Sequence, residues 1–166
     1  MHNELTQSDI DKMKEEIEYR KLVVRKEALE AVKEARAHGD LSENFEYHAA
    51  KKDKNQNESR IRYLERMIKT AVVISDDSKD DEIGVNNTVT LYFEEDGEEE
   101  TFKLVTTVRG NTLKGLVSIE SPVGKAILGH KEGERVYVKI NEQAGYYVTI
   151  RKIDKTSDGN DQIRRF

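Results

Sequence analysis

The residues best suited to chemistry lie in one stretch, GDLSENFEYHAAKK, residues 39–52. It combines carboxylates, an amide, two aromatic rings and a histidine. Asp40 and Glu43 are three residues apart at a predicted helix start, a spacing that places both on the same side. Such residue types suit either chemistry at a turn or the capping of helix ends.

The structural interpretation explains each of these residue types. Gly39 would end a first helix in a left-handed conformation, and Ser42 or Asn44 would cap a second one. Asp40 and Glu43 would then favour the positive N-terminus of that second helix. This interpretation leaves the neighbouring cluster of rings unexplained.

The first 38 residues predict one long helix. They contain neither Pro nor Gly, and Ser8 and Asp9 offer caps at its start. A helix over residues 9–37 would be about 43 Å long. Its apolar residues recur at spacings of three, four and seven, typical of one stripe on a helix. They are Ile10, Met13, Ile17, Val24, Ala28, Ala31 and Ala35.

A second helix is predicted after the turn. The stretch KKDKNQNESR, residues 51–60, has almost no apolar stripe, but a three-and-four spacing follows it. The apolar residues there are Ile61, Leu64, Ile68 and Ala71. Two such helices joined by a few residues bury their stripes most simply against each other. The sequence therefore predicts an antiparallel hairpin with GDLSEN at its tip.

Composition limits the class of protein. The chain has 166 residues, of which 37% are charged and none is Cys, so disulfides and thiolate metal sites are excluded. No apolar run reaches the length of a membrane span, and residues 1–10 lack the apolar centre of a signal peptide. We expect a soluble, cytoplasmic protein.

Charge is distributed unevenly along the chain. Residues 8–72 carry 15 basic and 14 acidic side chains, whereas residues 73–166 carry 13 and 18. A DNA-binding module would usually present a strongly basic face. The uneven charge predicts two parts, and the acidic total favours a protein partner over DNA.

The second half predicts a small sheet domain. Residues 75–82, SDDSKDDE, have no apolar residue and are predicted to be a linker. Two predicted strands, residues 89–93 and 101–108, flank the acidic turn EEDGEEE, and RVYVKI and YYVTIRKI predict two more. Ser121, Pro122 and Gly129 bound a predicted short helix. The fold class is therefore α+β, with a helical hairpin followed by an antiparallel sheet and one short helix.

Three segments resemble a known family. EARAHGDLSENFEYHAAKK resembles the coiled-coil tip of the bacterial transcript cleavage factors of the GreA/GreB family, and RIRYLERMIKTAVVI resembles the stretch that closes their hairpin. VSIESPVGKAILGHKEGERVYV resembles the core of their C-terminal domain. YHAAK and the modest basic content favour the GreA-like branch. The resemblance implies a hairpin domain over residues 1–74, a linker over 75–82, an FKBP-like domain over 83–155, and a tail over 156–166 that we predict to be disordered.

The resemblance also implies a function. In the family, the hairpin enters the secondary channel of RNA polymerase, and two tip acids reach the polymerase's catalytic Mg²⁺; by position these acids are Asp40 and Glu43. Carboxylates are hard ligands for Mg²⁺, but two alone would hold it weakly. We therefore expect no stably bound cofactor and no enzymatic activity in the isolated protein, which we expect to be monomeric.

Further residues have roles implied by the same resemblance. Ser42 and Asn44 could orient water or RNA, or only cap a helix, and Tyr47 could pack against polymerase, RNA or the hairpin itself. Basic residues could bind the phosphates of the nascent RNA 3′ end or only face solvent: Arg36, Lys51, Lys52 and Lys54. The candidates for docking on the rim of the channel are Ser121, Pro122, Gly124, Lys125 and Gly129.

Two departures from the family pattern leave alternatives open. Phe45 stands where the family generally has a small residue, and the loop RGNTLKGL, residues 109–116, is short and lacks an acidic segment. One alternative is a regulator that occupies the channel without stimulating cleavage. A second is an adaptor for partner helices, which requires an apolar outer face where the sequence shows mostly charges. A third is a prolyl isomerase or chaperone, for which we find no aromatic-lined pocket.

Overall fold

A computed structural model describes residues 3–39, 44–158 and 161–163. The chain forms two compact units, Ile10–Ala71 and Met1–Asp9 with Val72–Phe166. The first is a helical hairpin and the second is built around a sheet. The α+β class predicted from the sequence is confirmed, whereas the unit boundaries differ from the predicted ones because the N-terminal residues group with the sheet.

The hairpin has an almost continuous first arm. Helix α1, Gln7–Tyr19, passes into a π-helical segment, Arg20–Val24, and then into α2, Arg25–Ala37; the second arm is α3, Phe45–Lys69. The predicted helix over residues 9–37 is confirmed. Side-chain pairs between the arms join Arg20 to Asn57 and Arg25 to Glu58, and the backbone of Ala35 to Asn44. Residues near the start of the first arm contact residues near the end of the second, and Ala35 at the end of the first contacts Asn44 at the start of the second. The arms are therefore antiparallel.

The π-helical segment changes which apolar residues are buried. The Arg25 N–H donates to the Arg20 carbonyl, five residues back, and this wider turn shifts the phase of the helix. Val32 and Ala35 are buried, whereas the predicted Ala31 is exposed. The predicted stripe is therefore wrong at Ala31.

The sheet unit contains a five-stranded sheet and a two-stranded parallel pair within the described residues. The strands are β1 Glu4–Leu5, β2 Val72–Val73, β3 Thr88–Phe93, β4 Glu98–Val105, β5 Leu116–Ser118, β6 Arg135–Lys139 and β7 Gly145–Asp154. The larger sheet has the order β5-β4-β3-β7-β6, and in the smaller one Glu4 lies beside Val72.

The larger sheet is mixed, so the prediction of an antiparallel sheet is wrong at one edge. Strand β4 ends at Val105 rather than at residue 108, and β5 pairs with it in parallel. Parallel neighbours need a crossover rather than a tight hairpin. Two 3₁₀ turns, Thr107–Arg109 and Thr112–Lys114, form that crossover.

The core of this unit lies between the sheet and the short helix α4, Pro122–Ile127. Alternate residues of each strand point into it, as the pleat requires. Its fully buried aliphatic side chains supply most of the stabilisation from apolar burial. They include Ile83, Val89, Leu91, Leu104, Ile127, Val138, Val148 and Ile150.

The predicted linker and tail both contact the sheet unit. Lys155 Nζ donates to Ser78 Oγ at 2.7 Å. In the tail, the Thr156 hydroxyl donates to the Asn86 carbonyl, and Lys103 Nζ lies 2.6 Å from an Asp161 carboxylate oxygen. The described part of the tail therefore differs from the predicted disorder, because its polar groups find partners on the sheet.

Candidate functional site

Asn44 joins the two arms of the hairpin next to the tip. Its Oδ1 accepts a hydrogen bond from the Tyr47 N–H at 3.0 Å, which caps α3. Its Nδ2 donates to the Ala35 carbonyl in the last turn of α2 at 2.7 Å. Of the two predicted caps, Asn44 fills the role. The same side chain gives the Ala35 carbonyl a second donor, beside the His38 N–H at 3.2 Å.

The predicted tip acids and part of the turn lie outside the described residues. These are Asp40, Ser42 and Glu43. Gly39, the last described residue before them, has a positive φ of 133°, as predicted for the end of the first arm. The structure thus describes the two helix ends that hold the tip.

Basic side chains surround Tyr47 beside the tip. The Arg36 guanidinium lies 5.5 Å from the centre of the Tyr47 ring. A hydrogen bond from Arg36, assisted by the positive charges of Lys51 and Lys54, lowers the pKa of the Tyr47 hydroxyl below its ordinary value of 10.0. Three of the four predicted RNA-contact residues, Arg36, Lys51 and Lys54, therefore act electrostatically on Tyr47. The fourth, Lys52, is exposed on α3.

The other rings near the tip are exposed to different degrees. Phe45 opens α3 and is 85% exposed. His38 Nδ1 lies 3.4 Å from a Glu46 carboxylate oxygen, and the ring of His48 lies 5.5 Å from that of Tyr47. Among the described residues beside the tip, Phe45 is thus a large apolar side chain that lies open to solvent.

The predicted docking residues gather around α4, where some serve the fold. The Ser121 hydroxyl accepts from the Gly124 N–H at 3.1 Å, which confirms Ser121 as the cap. A Cβ on Gly124 would lie 2.3 Å from the Ser118 carbonyl oxygen, so only Gly fits there. Pro122, Lys125 and Gly129 are exposed.

Two family models match nearly the whole chain. The one described as "Transcription elongation factor, N-terminal" matches residues 3–73, and the one described as "Transcription elongation factor, GreA/GreB, C-term" matches residues 77–155. The chain belongs to the GreA/GreB family of transcription elongation factors. The tip, the closing helix and α4 all lie within these matches.

Curated relatives cover the same length. The chain is 42% identical over 136 residues to the transcription elongation factor GreA of Geobacillus kaustophilus, covering 81% of this chain and 86% of the relative. It is 40% identical over 135 residues to GreA of Bacillus subtilis, with 81% and 86% covered. Among solved structures, the GreA factor homolog 1 of Thermus thermophilus is 26% identical, covers 90% of this chain and 97% of that chain, and gives a TM-score of 0.41.

Sequence reasoning missed a buried polar cluster in the hairpin. Glu16 accepts hydrogen bonds from Arg20 at 2.7 Å and from Arg60 at 2.9 Å. Asn57 accepts from the Arg20 guanidinium at 3.0 Å and donates to the Arg20 carbonyl at 3.2 Å. The sequence signal for this cluster was the absence of an apolar stripe in residues 51–60, because polar side chains occupy the positions that face the first arm.

The charge of Glu16 is stabilised by this cluster. Burial by itself would raise the pKa of its carboxyl. Hydrogen bonds from Arg60 and Arg20, with their positive charges, outweigh burial and lower the pKa below 4.5. Glu16 is therefore ionised at neutral pH and holds two arginines between the arms.

The described residues hold neither a metal cluster nor a membrane-spanning helix. Within residues 3–39, 44–158 and 161–163, no group of three or more His, Asp or Glu side chains could hold a metal ion. No helix in the same part of the chain is both long and apolar enough to cross a membrane.

Proposed function

We propose that this protein inserts its hairpin tip into the secondary channel of bacterial RNA polymerase and stimulates the polymerase's own cleavage of backtracked RNA. Cleavage of the nascent transcript would restore a reactive 3′ end and relieve arrest. Membership of a family of transcription elongation factors, matched over both units, supports this proposal most directly. Such a partner is cytoplasmic, and we propose the same compartment for this chain.

Asp40 and Glu43 are the residues proposed to act on the reaction. Their carboxylates would supply oxygen ligands for Mg²⁺ in the polymerase active centre, where the metal would activate water for attack on a phosphodiester. Two carboxylates from this chain are too few to hold Mg²⁺ tightly, so other ligands must come from polymerase and RNA. The protein is therefore proposed to be a stimulating factor, without stable cofactor or catalysis of its own.

The described tip residues are proposed to position this pair. Asn44 ties the end of α2 to the start of α3 through its bonds to Ala35 and Tyr47. Tyr47 sits in a positively charged environment, so it and Arg36 suit an anionic partner such as the RNA backbone. The remaining basic candidates would add screened, long-range attraction: Lys51, Lys52 and Lys54.

Docking on the polymerase is proposed to use the exposed side of α4. Pro122 and Lys125 are accessible, whereas Gly124 is buried and Ser121 is engaged as the cap. Substitution of Gly124 would therefore weaken docking through the fold of α4 rather than through a lost contact. Lys125 is the residue whose charge can be changed without that complication.

Cleavage of 3′-labelled RNA in a stalled, backtracked elongation complex tests the proposal. We expect the native protein to release short 3′ fragments and Asp40→Ala with Glu43→Ala to bind polymerase without releasing them. Asp53→Ala, at an exposed acid of α3, is the matched control and should cleave normally. Equal cleavage by the double variant and the native protein would remove the two acids from the mechanism.

A second candidate function is favoured by Phe45. Its exposed ring at the start of α3 could fill a narrow channel, which would make the protein an occupant that regulates polymerase without stimulating cleavage. In that case the native protein would bind polymerase and inhibit nucleotide addition without releasing 3′ fragments. Phe45→Ala would then release fragments, whereas under the first proposal it changes cleavage little.

A further inference from the structure

Four residues after the last strand hold the sheet unit through hydrogen bonds and ion pairs. We call them the strap: Lys155, Thr156, Asp158 and Asp161. At its near end, Lys155 Nζ donates to the Glu82 carbonyl at 2.8 Å, and Asn87 Nδ2 donates to the Thr156 carbonyl at 3.2 Å. The family match ends at residue 155, so most of the strap lies beyond the part of the chain that the family model describes.

The far end of the strap is charged and meets the N-terminal segment of the chain. Asp158 accepts a hydrogen bond from the Ser8 hydroxyl and lies 3.6 Å from Arg109 Nη2. An Asp161 carboxylate oxygen lies 2.6 Å from Lys103 Nζ, and both side chains are at most 20% exposed. The Asp161 carbonyl also accepts from Arg109 Nη1 at 3.1 Å. The strap therefore reaches from the end of β7 to the first turn of α1.

Opening the strap would uncover little apolar surface. Lys155 and Thr156 are exposed, and the two acids of the strap are only partly buried. Apolar burial is the main source of stability in a fold, whereas water replaces most of the free energy of an exposed hydrogen bond or ion pair. Segments with few buried apolar contacts open far more often than the whole molecule unfolds.

Opening the strap would also leave the buried Arg109 with an anionic partner. Asp9 remains paired with it, and each of these two side chains is 1% exposed. Asp9 is itself held in place, because its side chain accepts from the Thr6 N–H at 2.8 Å and its own N–H donates to the Thr6 hydroxyl at 3.1 Å, as in a capping box. An open strap is therefore compatible with a folded sheet unit.

We propose that the strap opens and closes reversibly and controls how firmly the N-terminal segment, residues 3–9, is held. When closed, it fixes the Ser8 hydroxyl, which also accepts from Arg109 Nη2 at 3.1 Å. When open, it leaves the segment to its other contacts, among them the buried Leu5 and the pairing of β1 with β2. Coupling of this kind is reciprocal, so loosening Ser8 also loosens the strap. The strap does not depend on the function proposed above.

Trypsin cleavage of the full chain after Lys155 under native conditions tests the opening, because a protease cuts the population of chains in which the site is open. Asp158→Ala with Asp161→Ala should raise the cleavage rate, followed by mass spectrometry, by about tenfold or more. Glu95→Ala with Asp96→Ala is the matched control, since it removes two exposed acids from the turn after β3, and it should leave the rate unchanged. Equal rates in the wild type and the double variant of the strap would overturn the proposal.

Hydrogen exchange measured by mass spectrometry tests the coupling to the N-terminal segment. In the double variant of the strap, the amides of residues 3–9 should exchange roughly fivefold faster, while those of β3 and β7 keep their wild-type rates. Ser8→Ala should in turn speed cleavage after Lys155, and Thr112→Ala, which removes an exposed hydroxyl elsewhere on the sheet unit, should not. Unchanged exchange in residues 3–9 would rule out the coupling. Faster exchange throughout the sheet would show instead that these residues support the fold and do not open separately.

Discussion

Asn44 shows how one residue can serve the two interpretations of the tip. As a cap it satisfies the first turn of α3, and as a donor it closes the hairpin against Ala35. Asn44 therefore belongs to the tip motif of the family and caps a helix at the same time. Capping chemistry and function are compatible here, because a ligand-presenting turn also needs fixed helix ends.

Asn44→Ala should lower the free energy of unfolding by about 1–2 kcal/mol, since it removes a helix cap and the bond to the Ala35 carbonyl. Asn44→Asp keeps the cap acceptor and loses the donor, so its loss should be smaller. Urea unfolding followed by circular dichroism measures both. Equal losses for Ala and Asp would mean that the cap contributes nothing.

At the scale of elements, the hairpin is held by polar contacts as well as by its apolar stripe. Glu16, Arg20, Asn57 and Arg60 link the arms through buried or half-buried hydrogen bonds. A layer of polar side chains favours the one register of the two helices in which its hydrogen bonds form, whereas apolar side chains pack acceptably in more than one register. The cluster therefore specifies the pairing of the arms where residues 51–60 lack apolar side chains.

Glu16→Gln should destabilise the hairpin by about 2 kcal/mol at pH 7, because two arginines lose their anionic partner. The pKa of Glu16 is lowered in the folded state, so its contribution is present above 4.5 and is lost as pH falls through the folded value. Urea unfolding at a series of pH values measures this dependence.

The variant should lose less stability on acidification than the wild type. Glu15→Gln, at the exposed neighbouring position, is the control and should follow the wild-type pH dependence. An identical acid dependence for Glu16→Gln and the wild type would show that the cluster does not hold Glu16 ionised.

At the scale of the whole molecule, the sheet unit gathers both ends of the described chain. Asp9 and Arg109 form an ion pair in which each side chain is 1% exposed. Thr106 Oγ1 also donates to Asp9, at 2.8 Å, and Arg109 Nη1 donates to the Asp161 carbonyl at 3.1 Å. One buried guanidinium thus joins the N-terminal segment, the end of β4 and the tail.

Asp9→Ala should lower the free energy of unfolding by about 3 kcal/mol, because it removes the buried carboxylate that pairs with Arg109 and leaves that charge only the Asp158 carboxylate at 3.6 Å. Asp11→Ala, at an exposed acid two residues on, should change it by less than about 1 kcal/mol. Urea denaturation monitored by tyrosine fluorescence measures both, because four of the seven tyrosines lie in strands of the sheet unit. Similar losses for the two variants would contradict a structural role for this ion pair.

Local signals predicted much of the molecule. The absence of Pro and Gly before residue 39, together with the three-and-four spacing of apolar residues, was enough to predict the first arm and the residue where it ends. The strands β3, β6 and β7 alternate strongly, and Ser121 with Pro122 marked the start of α4. The family motif placed Asp40 and Glu43 at the turn, although both lie outside the described residues.

The helical hairpin, the α+β class and the position of the turn along the chain could be predicted from the amino-acid sequence, because they depend on the period of apolar residues and on helix caps. Four features became visible only in the folded chain: the π-helical segment, the polar cluster around Glu16, the parallel β4–β5 pair and the burial of Arg109. Each of these depends on partners distant in sequence: Asp9 and Arg109 are one hundred residues apart. Local periodicity carries no information about such partners, because they meet only when the chain folds.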